Sequence, residues 1–245
     1  LSFHEETSTR DLTQRLVLIN NQTVWVPSVL IEAIMHGRWI VFDEIDRAPR
    51  GVLSVLNHFL QFNEMTLLDG TVIKIDRHTG IPVMIKPDGR NEKGIPGFRV
   101  LATMNPPTGA YAGTELSSEL EDRFLLHTIR YLPPKEEIEY LRAVAPGVDQ
   151  DLIARLVNAA HDLREAYKKG MLPKPFSTRG LVTIVEHLAA YPRDAVYPQI
   201  YRAFNVEYLG EQYADSVNDV LRAYGLYTPA IQLAEIQKAD ITQSD

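Results

Sequence analysis

Cysteine is absent from the 245-residue chain, which excludes disulfide bonds, thiolate zinc sites and a cysteine nucleophile. Long hydrophobic runs are also missing. No apolar stretch approaches the ~18 residues that a membrane-spanning helix needs, and the first residues show no signal-peptide pattern. We therefore expect a cytoplasmic protein without a membrane span.

Positive charge is scarce relative to negative charge. The chain has 25 Lys and Arg against 32 Asp and Glu, a formal net charge of −7. This balance argues against a protein that coats nucleic acid, although it does not exclude a local basic patch. The seven histidines are scattered, and none pair at metal-ligand spacing. The remaining composition, 45% hydrophobic and 23% charged, is that of a globular protein rather than a disordered, collagenous or coiled-coil chain.

Runs of consecutive apolar residues predict strands of a parallel sheet. Residues 39–42 read Trp-Ile-Val-Phe and end at Asp43-Glu44. Residues 98–104 form a second run that ends at Asn105, and residues 124–129 form a third candidate. Apolar side chains on consecutive rather than alternating positions are typical of strands that are buried on both faces.

The rest of the pattern divides the chain into two parts. Helices are predicted after Ser28 and from Pro49, and the alternation with many Gly and Pro over residues 64–98 predicts hairpins and loops. From Pro133 onward the pattern is helical, with segments near residues 134–145, 149–169, 177–190 and 195–224. We therefore predict an α/β core over residues 1–132 and an all-helical part over residues 133–245.

The carboxylates of Asp43 and Glu44 follow directly after the first predicted strand. The carboxyl ends of strands in an open α/β sheet form the edge at which ligands bind. One carboxylate there can hold Mg²⁺, directly or through water, and the next can polarise a water for attack on a phosphate. This is the Walker B arrangement. The alternative is a strand that simply ends in acidic loop residues, and the motif alone does not decide between them.

Three further polar residues each allow two interpretations. The amide of Asn105 can hydrogen-bond a water or a phosphate, but an Asn-Pro turn needs no ligand. Arg123 follows two acidic residues, which suits a surface ion pair or an arginine finger that reaches a neighbouring subunit's nucleotide. Arg179 lies in the first turn of a helix after the N-cap Ser177, where a cation opposes the helix dipole, so binding a nucleotide phosphate is one reason for its position.

The order of these motifs resembles that of AAA+ ATPases, and more closely the MoxR-type and dynein-related group, which includes midasin, the cobaltochelatase ATPase subunit, and the carboxysome and nitrite-reductase activators. The matching stretches lie within about residues 1–190 and are Glu6-Thr7 with Arg10-Asp11-Leu12, Trp39-Ile-Val-Phe-Asp-Glu-Ile-Asp-Arg-Ala48, Leu67-Leu68-Asp69-Gly70, Leu101-Ala-Thr-Met-Asn-Pro106, and Gly113-Thr-Glu-Leu-Ser with Asp122-Arg-Phe. Residues 109–114, Gly-Ala-Tyr-Ala-Gly-Thr, look most like the cobaltochelatase branch.

The resemblance implies a P-loop core, with a parallel sheet between helices and a β-hairpin insertion, followed by a helical lid. It also implies roles: Mg²⁺ binding for Asp43, catalytic base for Glu44, sensor 1 for Asn105, trans-acting finger for Arg123, and sensor 2 for Arg179. The hairpin around residues 66–75 matches the insertion that faces a central pore or a partner. The implied cofactors are ATP and Mg²⁺. The implied assembly is a homo-oligomeric ring, a hexamer, that acts on a client protein with a von Willebrand A-type partner.

One motif of that family is missing from the chain. The phosphate-binding loop G-x-x-x-x-G-K-[ST] does not occur ahead of Asp43. Gly89 and Gly94 have the right separation, but Ile95-Pro96 follows them and they come after the Asp-Glu strand. Either an upstream segment carries the loop or the module is degenerate, and the start at Leu1 in mid-pattern favours the upstream segment.

Two functions therefore compete. The first is an ATP-driven remodeller that activates a client protein, and the second is an inactive AAA+ module that serves as a scaffold or assembly part. The joint presence of Asp43, Glu44, Asn105, Arg123 and Arg179 favours the first, because an inactive module need not keep the set together. A third possibility, nucleic-acid translocation, is disfavoured by the acidic balance.

Overall fold

The computed structural model describes residues 1–105 and 116–228. The stretch 109–114 that resembles the cobaltochelatase branch lies outside these ranges. The chain divides into two compact units, residues 1–127 and residues 128–245, a few residues before the boundary expected after Leu132. The first unit combines strands and helices and the second is helical.

In the first unit, a short helix, a hairpin and a second helix precede the strand that ends at Asp43. Its elements are α1 (Thr9–Leu12), β1 (Gln14–Ile19), β2 (Gln22–Pro27), α2 (Val29–Met35), β3 (Trp39–Phe42), α3 (Arg50–Phe62), β4 (Glu64–Thr66), β5 (Val72–Ile75), β6 (Pro82–Ile85), β7 (Asn91–Lys93), β8 (Arg99–Ala102) and α4 (Ser118–Glu121). Helix α2 starts where predicted, because Ser28 Oγ accepts the Ile31 N–H at 3.3 Å and so caps the first turn.

Strands β3 and β8 pair in parallel, with Phe42 opposite Ala102. The first residues of the chain add a further parallel bridge on the other side of β3, where Phe3 N donates to Asp43 O and Asp43 N donates to Leu1 O, both at 2.9 Å. The polar sequence of residues 1–15 predicts the end of a strand and then a loop. This bridge agrees with the strand end, but the segment after Phe3 is more than a loop. It contains α1 and leads into the β1–β2 hairpin, which was not predicted and turns at Asn20 and Asn21, both with positive φ.

Burial of β3 on both faces was a wrong prediction. Ile40 and Phe42 are buried among side chains of α2 and α3, but Trp39 is 68% and Val41 44% exposed. Leu101 of β8 is also exposed. The reason is that no element in the described ranges covers the second face of this parallel pair.

The third predicted strand, residues 124–129, is also not formed. These residues make no ladder with any strand that the structure describes, and Leu125 and Ile129 are 84% and 95% exposed. A strand needs a hydrogen-bonding partner beside it. Apolar composition alone therefore did not suffice at this position.

The hairpins expected over residues 64–98 are confirmed and form one antiparallel sheet in the order β4-β5-β6-β7. Residues 67–70, Leu-Leu-Asp-Gly, make the turn between β4 and β5, closed by the Gly70 N–H to Leu67 O bond. The segment that follows this sheet passes close to the backbone of Gly37. This glycine has φ +63°, and a Cβ there would lie 2.4 Å from Pro96 O.

The second unit is built from helices around one apolar core. Its helices are α5 (Pro134–Val144), α6 (Gln150–Lys168), α7 (Thr178–Ala190), α8 (Val196–Phe204) and α9 (Glu211–Ala223). The single helix expected near residues 195–224 is interrupted at Asn205 and Gly210, which adopt φ values of +51° and +93°. Among the described helices, none is long and apolar enough to cross a bilayer.

Candidate functional site

The Asp43 and Glu44 carboxylates emerge where β3 ends, at the carboxyl edge of the parallel pair. Thr103 follows the neighbouring strand β8 and lies beside them. Its hydroxyl donates to Asp43 Oδ1 at 2.7 Å and accepts the Glu44 N–H at 3.1 Å. The Thr103 backbone is paired as well, donating to Phe42 O at 2.9 Å and accepting from Ile45 N at 3.0 Å. One threonine thus holds both acidic residues against the second strand.

Glu44 occupies an unusual backbone conformation. Its φ of 54° and ψ of 48° lie in the left-handed region, which costs a non-glycine residue roughly 1–2 kcal/mol. The two bonds from Thr103 and the short 3-10 turn Ile45–Arg47 that follows hold it there. Its carboxylate is 42% exposed and pairs with Arg47 Nε at 3.2 Å. The strained turn presents the Glu44 carboxylate to solvent rather than to the core.

Asn105 is anchored at the same edge through its backbone. The carboxylate of Asp46, which is 3% exposed, accepts the Asn105 N–H at 3.4 Å. This contact crosses from the turn after β3 to the segment after β8. The amide side chain of Asn105 is half-buried and makes no hydrogen bond with another residue in the described ranges.

The donor set suits Mg²⁺ bound together with phosphate. Asp43 Oδ1 is engaged by Thr103, whereas no donor from the described part of the chain reaches Oδ2. The same residues contain no group of three or more His, Asp or Glu side chains that could hold a metal ion by themselves. Mg²⁺ is usually held by one or two carboxylates with waters and substrate phosphates. Asp43, with Glu44 beside it, fits that pattern.

The two arginines predicted to contact nucleotide are both exposed, one in each unit. Arg123 follows α4 and is exposed, and its guanidinium makes no ion pair with any residue that the structure describes, including Glu121 and Asp122. Arg179 is the second residue of α7 in the helical unit, and it is exposed too. The structure therefore brings Asp43, Glu44 and Asn105 to one edge, while neither arginine forms an ion pair with a residue in the described ranges.

Three residues at the site were missed in the sequence, namely Thr103, Asp46 and Arg47. All three lie inside stretches whose resemblance was noted, but none was assigned a role. The parallel register contains the missing signal, because Phe42 opposite Ala102 places Asp43 opposite Thr103. Register between strands that lie about sixty residues apart is not readable from one sequence.

The spacing of Gly89 and Gly94 has no phosphate-loop geometry. Gly89 lies in the turn between β6 and β7, where its N–H donates to Lys86 O. Gly94 follows β7, and its N–H donates to Pro82 O. A phosphate-binding loop leads into the N-terminus of a helix, whereas here the chain continues into β8.

Comparison with known protein families identifies one family model in each part of the chain. Residues 1–124, about half of the chain, match the model of the AAA domain (dynein-related subfamily). Residues 137–191 match the CbbQ/NirQ/NorQ C-terminal model. The two models thus follow each other in the same order as the two compact units.

Three curated relatives are similar over part of their length. The von Willebrand factor A domain-containing protein 8 of Mus musculus is 29% identical over 92% of this chain, midasin of Dictyostelium discoideum 31% over 56%, and Protein NorQ of Paracoccus denitrificans 28% over 73%. The chain spans 12%, 2% and 59% of these proteins, respectively. With an acidic strand edge, a hairpin sheet and a helical second unit in this order, the chain belongs to the dynein-related subfamily of AAA domains, in the MoxR-type group of AAA+ ATPases.

Proposed function

We propose that the chain is the ATP-hydrolysing part of a remodeller that activates a client protein. The observation that carries the proposal is the pair of carboxylates on Asp43 and Glu44, held by the Thr103 hydroxyl at the carboxyl end of two parallel strands. That edge is where α/β sheets bind their ligands. Two adjacent carboxylates with different surroundings suit a metal ligand and a base.

In this proposal each residue has one task. Asp43 holds Mg²⁺, which when bound neutralises phosphate charge. Glu44 accepts the proton of the attacking water, and the left-handed turn keeps its carboxylate at the edge for that purpose. Asn105 orients the water or the γ-phosphate through its amide. The Arg123 guanidinium stabilises transition-state charge on a neighbouring subunit's nucleotide, and Arg179 contacts phosphate from the helical unit.

The proposal requires a phosphate-binding loop that these 245 residues do not contain. Backbone N–H groups of such a loop cradle the phosphates, and its Lys neutralises them. We infer that the loop comes from another part of the full-length protein. The absence of this motif also favours a second candidate, a scaffold module that does not turn over ATP. The exposed face of β3 and β8 agrees with the first candidate, since Trp39, Val41 and Leu101 leave apolar surface for a further element of the core.

The assembly and the partner are also proposals. A finger that acts in trans needs a head-to-tail interface, and such interfaces close into rings when the rotation permits. We infer a homo-oligomeric ring on this ground, and the resemblance to the AAA+ group implies that it is a hexamer. One relative is named for a von Willebrand factor A domain. This name supports a partner or a linked domain of that type for this protein.

The decisive experiment is Glu44→Gln in the full-length protein. The amide keeps the shape of the side chain but cannot accept the proton, so ATP binding is retained and turnover falls by about 10²–10⁴-fold. Glu32→Gln is the matched control, because Glu32 lies exposed on α2, its side chain bonds none of the described site residues, and the change is the same. Unchanged turnover in Glu44→Gln would contradict the catalytic role. Absence of ATP turnover in the wild-type protein would instead favour the scaffold.

A further inference from the structure

The helical unit contains a fully buried carboxylate. Glu137 of α5 is 0% exposed, and its two oxygens are surrounded by donors from other helices. Arg164 Nη1 donates to Oε2 at 2.7 Å and Nη2 to Oε1 at 2.9 Å, which makes a bidentate pair with α6. His161 Nε2 lies 3.0 Å from Oε2. Thr178 Oγ1, at the start of α7, donates to Oε1 at 2.6 Å.

The same guanidinium also holds the chain on both sides of the α7 N-cap. Arg164 Nε donates to Phe176 O at 2.7 Å, and Nη2 lies 3.4 Å from Thr178 Oγ1. Between these two residues stands the N-cap Ser177, whose Oγ accepts the Gly180 N–H at 3.0 Å. The next residue after Thr178 is Arg179. The buried pair therefore holds the segment immediately before Arg179 at two points, the Phe176 carbonyl and the Thr178 hydroxyl.

A buried ion pair of this kind is a poor means of gaining stability. Removing both charges from water costs several kcal/mol per ion, and apolar replacements of similar volume are often as stable or more stable. What the pair provides is a unique geometry, because a bidentate guanidinium and carboxylate meet in one arrangement. Here that geometry fixes the position of the first turn of α7. The Tyr131 ring packs 4.0 Å from the guanidinium carbon and covers it.

Of the two arginines discussed at this helix start, Arg179 is the one open to a ligand. Glu137 neutralises Arg164 inside the core, whereas Arg179 is exposed and has no acidic partner in the described part of the chain. A cation in the first turn opposes the helix dipole, so its side chain gains from an anion that both the helix end and the guanidinium attract.

We propose that Glu137, Arg164 and Thr178 are positioning residues that aim Arg179 at the nucleotide phosphates. The proposal rests on the proposed nucleotide contact of Arg179. Thr178 is the transmitting residue, since its hydroxyl ties the first turn of α7 to the buried carboxylate. Loss of that hydroxyl frees the turn and lowers the affinity for ATP, while the helix and the core remain.

The test uses the full-length protein and compares Thr178→Val, which removes the hydroxyl, with Thr178→Ser, which keeps it. Thr183→Val is the matched control on the same helix, because the exposed Thr183 hydroxyl donates to the Arg179 carbonyl one turn earlier and reaches no side chain in the described ranges. We expect Thr178→Val to weaken binding of a fluorescent ATP analogue about 5–20-fold, with Thr178→Ser and Thr183→Val near wild type.

A double-mutant cycle separates positioning from a general structural role. In an Arg179→Ala background, Thr178→Val should change ATP affinity no further, because its effect passes through Arg179. An equal loss in both backgrounds, or no loss in either, would overturn the inference while leaving the nucleotide role of Arg179 intact. If Arg179→Ala itself leaves ATP affinity unchanged, the proposed role of Arg179 fails, and the inference fails with it.

A double variant tests whether weaker ATP binding could result from misfolding alone. Replacing Glu137 and Arg164 together by Met removes both buried charges and should recover most of the stability that either single change loses. We expect the double variant to unfold near the wild-type midpoint and yet to bind ATP as weakly as Thr178→Val. Wild-type ATP affinity in a stable double variant would contradict the positioning role.

Discussion

Thr103 Oγ1 lies 2.7 Å from Asp43 Oδ1 and 3.1 Å from Glu44 N, so one hydroxyl joins the two acidic residues across neighbouring strands. Asp43 and Glu44 are adjacent in sequence, but their side chains need different surroundings to act as a metal ligand and as a base. The hydroxyl orients the first carboxylate and stabilises the left-handed backbone of the second. It is the contact on which the geometry of the acidic edge depends.

Thr103→Val should lower the ATPase kcat/KM of the full-length protein about tenfold. A hydrogen bond to a charged group is worth about 1.5–3 kcal/mol, and part of that energy orients Asp43. Thr103→Ser keeps the hydroxyl and should remain close to wild type. Steady-state rates measured over a range of Mg²⁺ concentrations provide the comparison, since a misoriented Asp43 also raises the Mg²⁺ requirement. Equal rates and Mg²⁺ dependence in both variants would show that the hydroxyl is dispensable.

Mixing two inactive variants should restore activity. Arg123→Ala subunits keep Glu44, and Glu44→Gln subunits keep Arg123, so a mixed ring contains some interfaces with both intact groups. We expect trans action because the Arg123 guanidinium is exposed and has no ion-pair partner among the residues described in its own chain, which leaves it free to reach a neighbouring subunit. ATPase assays on mixtures at several ratios, with mass measurement of the mixed rings, provide the data. Mixed rings that stay inactive would return Arg123 to a surface role.

Gly37→Ala should destabilise the first unit by about 2–4 kcal/mol, because it combines left-handed strain with overpacking. The alanine would have to adopt φ +63° with its Cβ 2.4 Å from Pro96 O. Gly51→Ala is the control in the same unit, because no atom lies within 4 Å of a Cβ at that position and its φ is not positive. Both tryptophans, Trp25 and Trp39, belong to the first unit, so denaturant unfolding followed by tryptophan fluorescence reports this change. Equal midpoints in the two variants would contradict the close approach.

Acid should destabilise the helical unit through Glu137. Burial by itself raises the pKa of this carboxyl, but hydrogen bonds from Arg164 and Thr178, with the Arg164 charge, bring the pKa below its ordinary value. A carboxyl with a lowered folded pKa adds stability that is complete above the unfolded value of ~4.3 and is lost as the pH falls toward the folded value. Unfolding followed by the circular dichroism of the helices should show this loss below about pH 4.3.

Glu137→Gln provides the control for the acid effect. It should cost about 3–5 kcal/mol near neutral pH, because the Arg164 charge is then buried without its partner. Its remaining stability should change less between pH 5 and pH 3 than that of the wild type, because the titrating group is gone. A parallel pH dependence in the two proteins would assign the acid sensitivity to other carboxyls.

The elements that depend on neighbours in sequence were predictable. Ser28 and Ser177 each cap the first turn of a helix through a bond three residues away, and such local chemistry is readable from the chain. The hairpins of residues 64–98 followed from alternation and from Gly and Pro. The turn at Asn20-Asn21 is local in the same way, since paired residues of this type favour positive φ.

What the sequence by itself determined is therefore local: the strand that ends in Asp43-Glu44, the caps and the order of the motifs. Only the tertiary structure decided that β3 is covered on one face and that Thr103 meets Asp43 across a gap of 60 residues. It also decided that Thr178, 41 residues from Glu137, closes the buried pair. Caps and turns are formed by bonds within one stretch of chain, whereas register, burial and ion pairs depend on which distant segments pack together, and one sequence does not encode that as a local pattern.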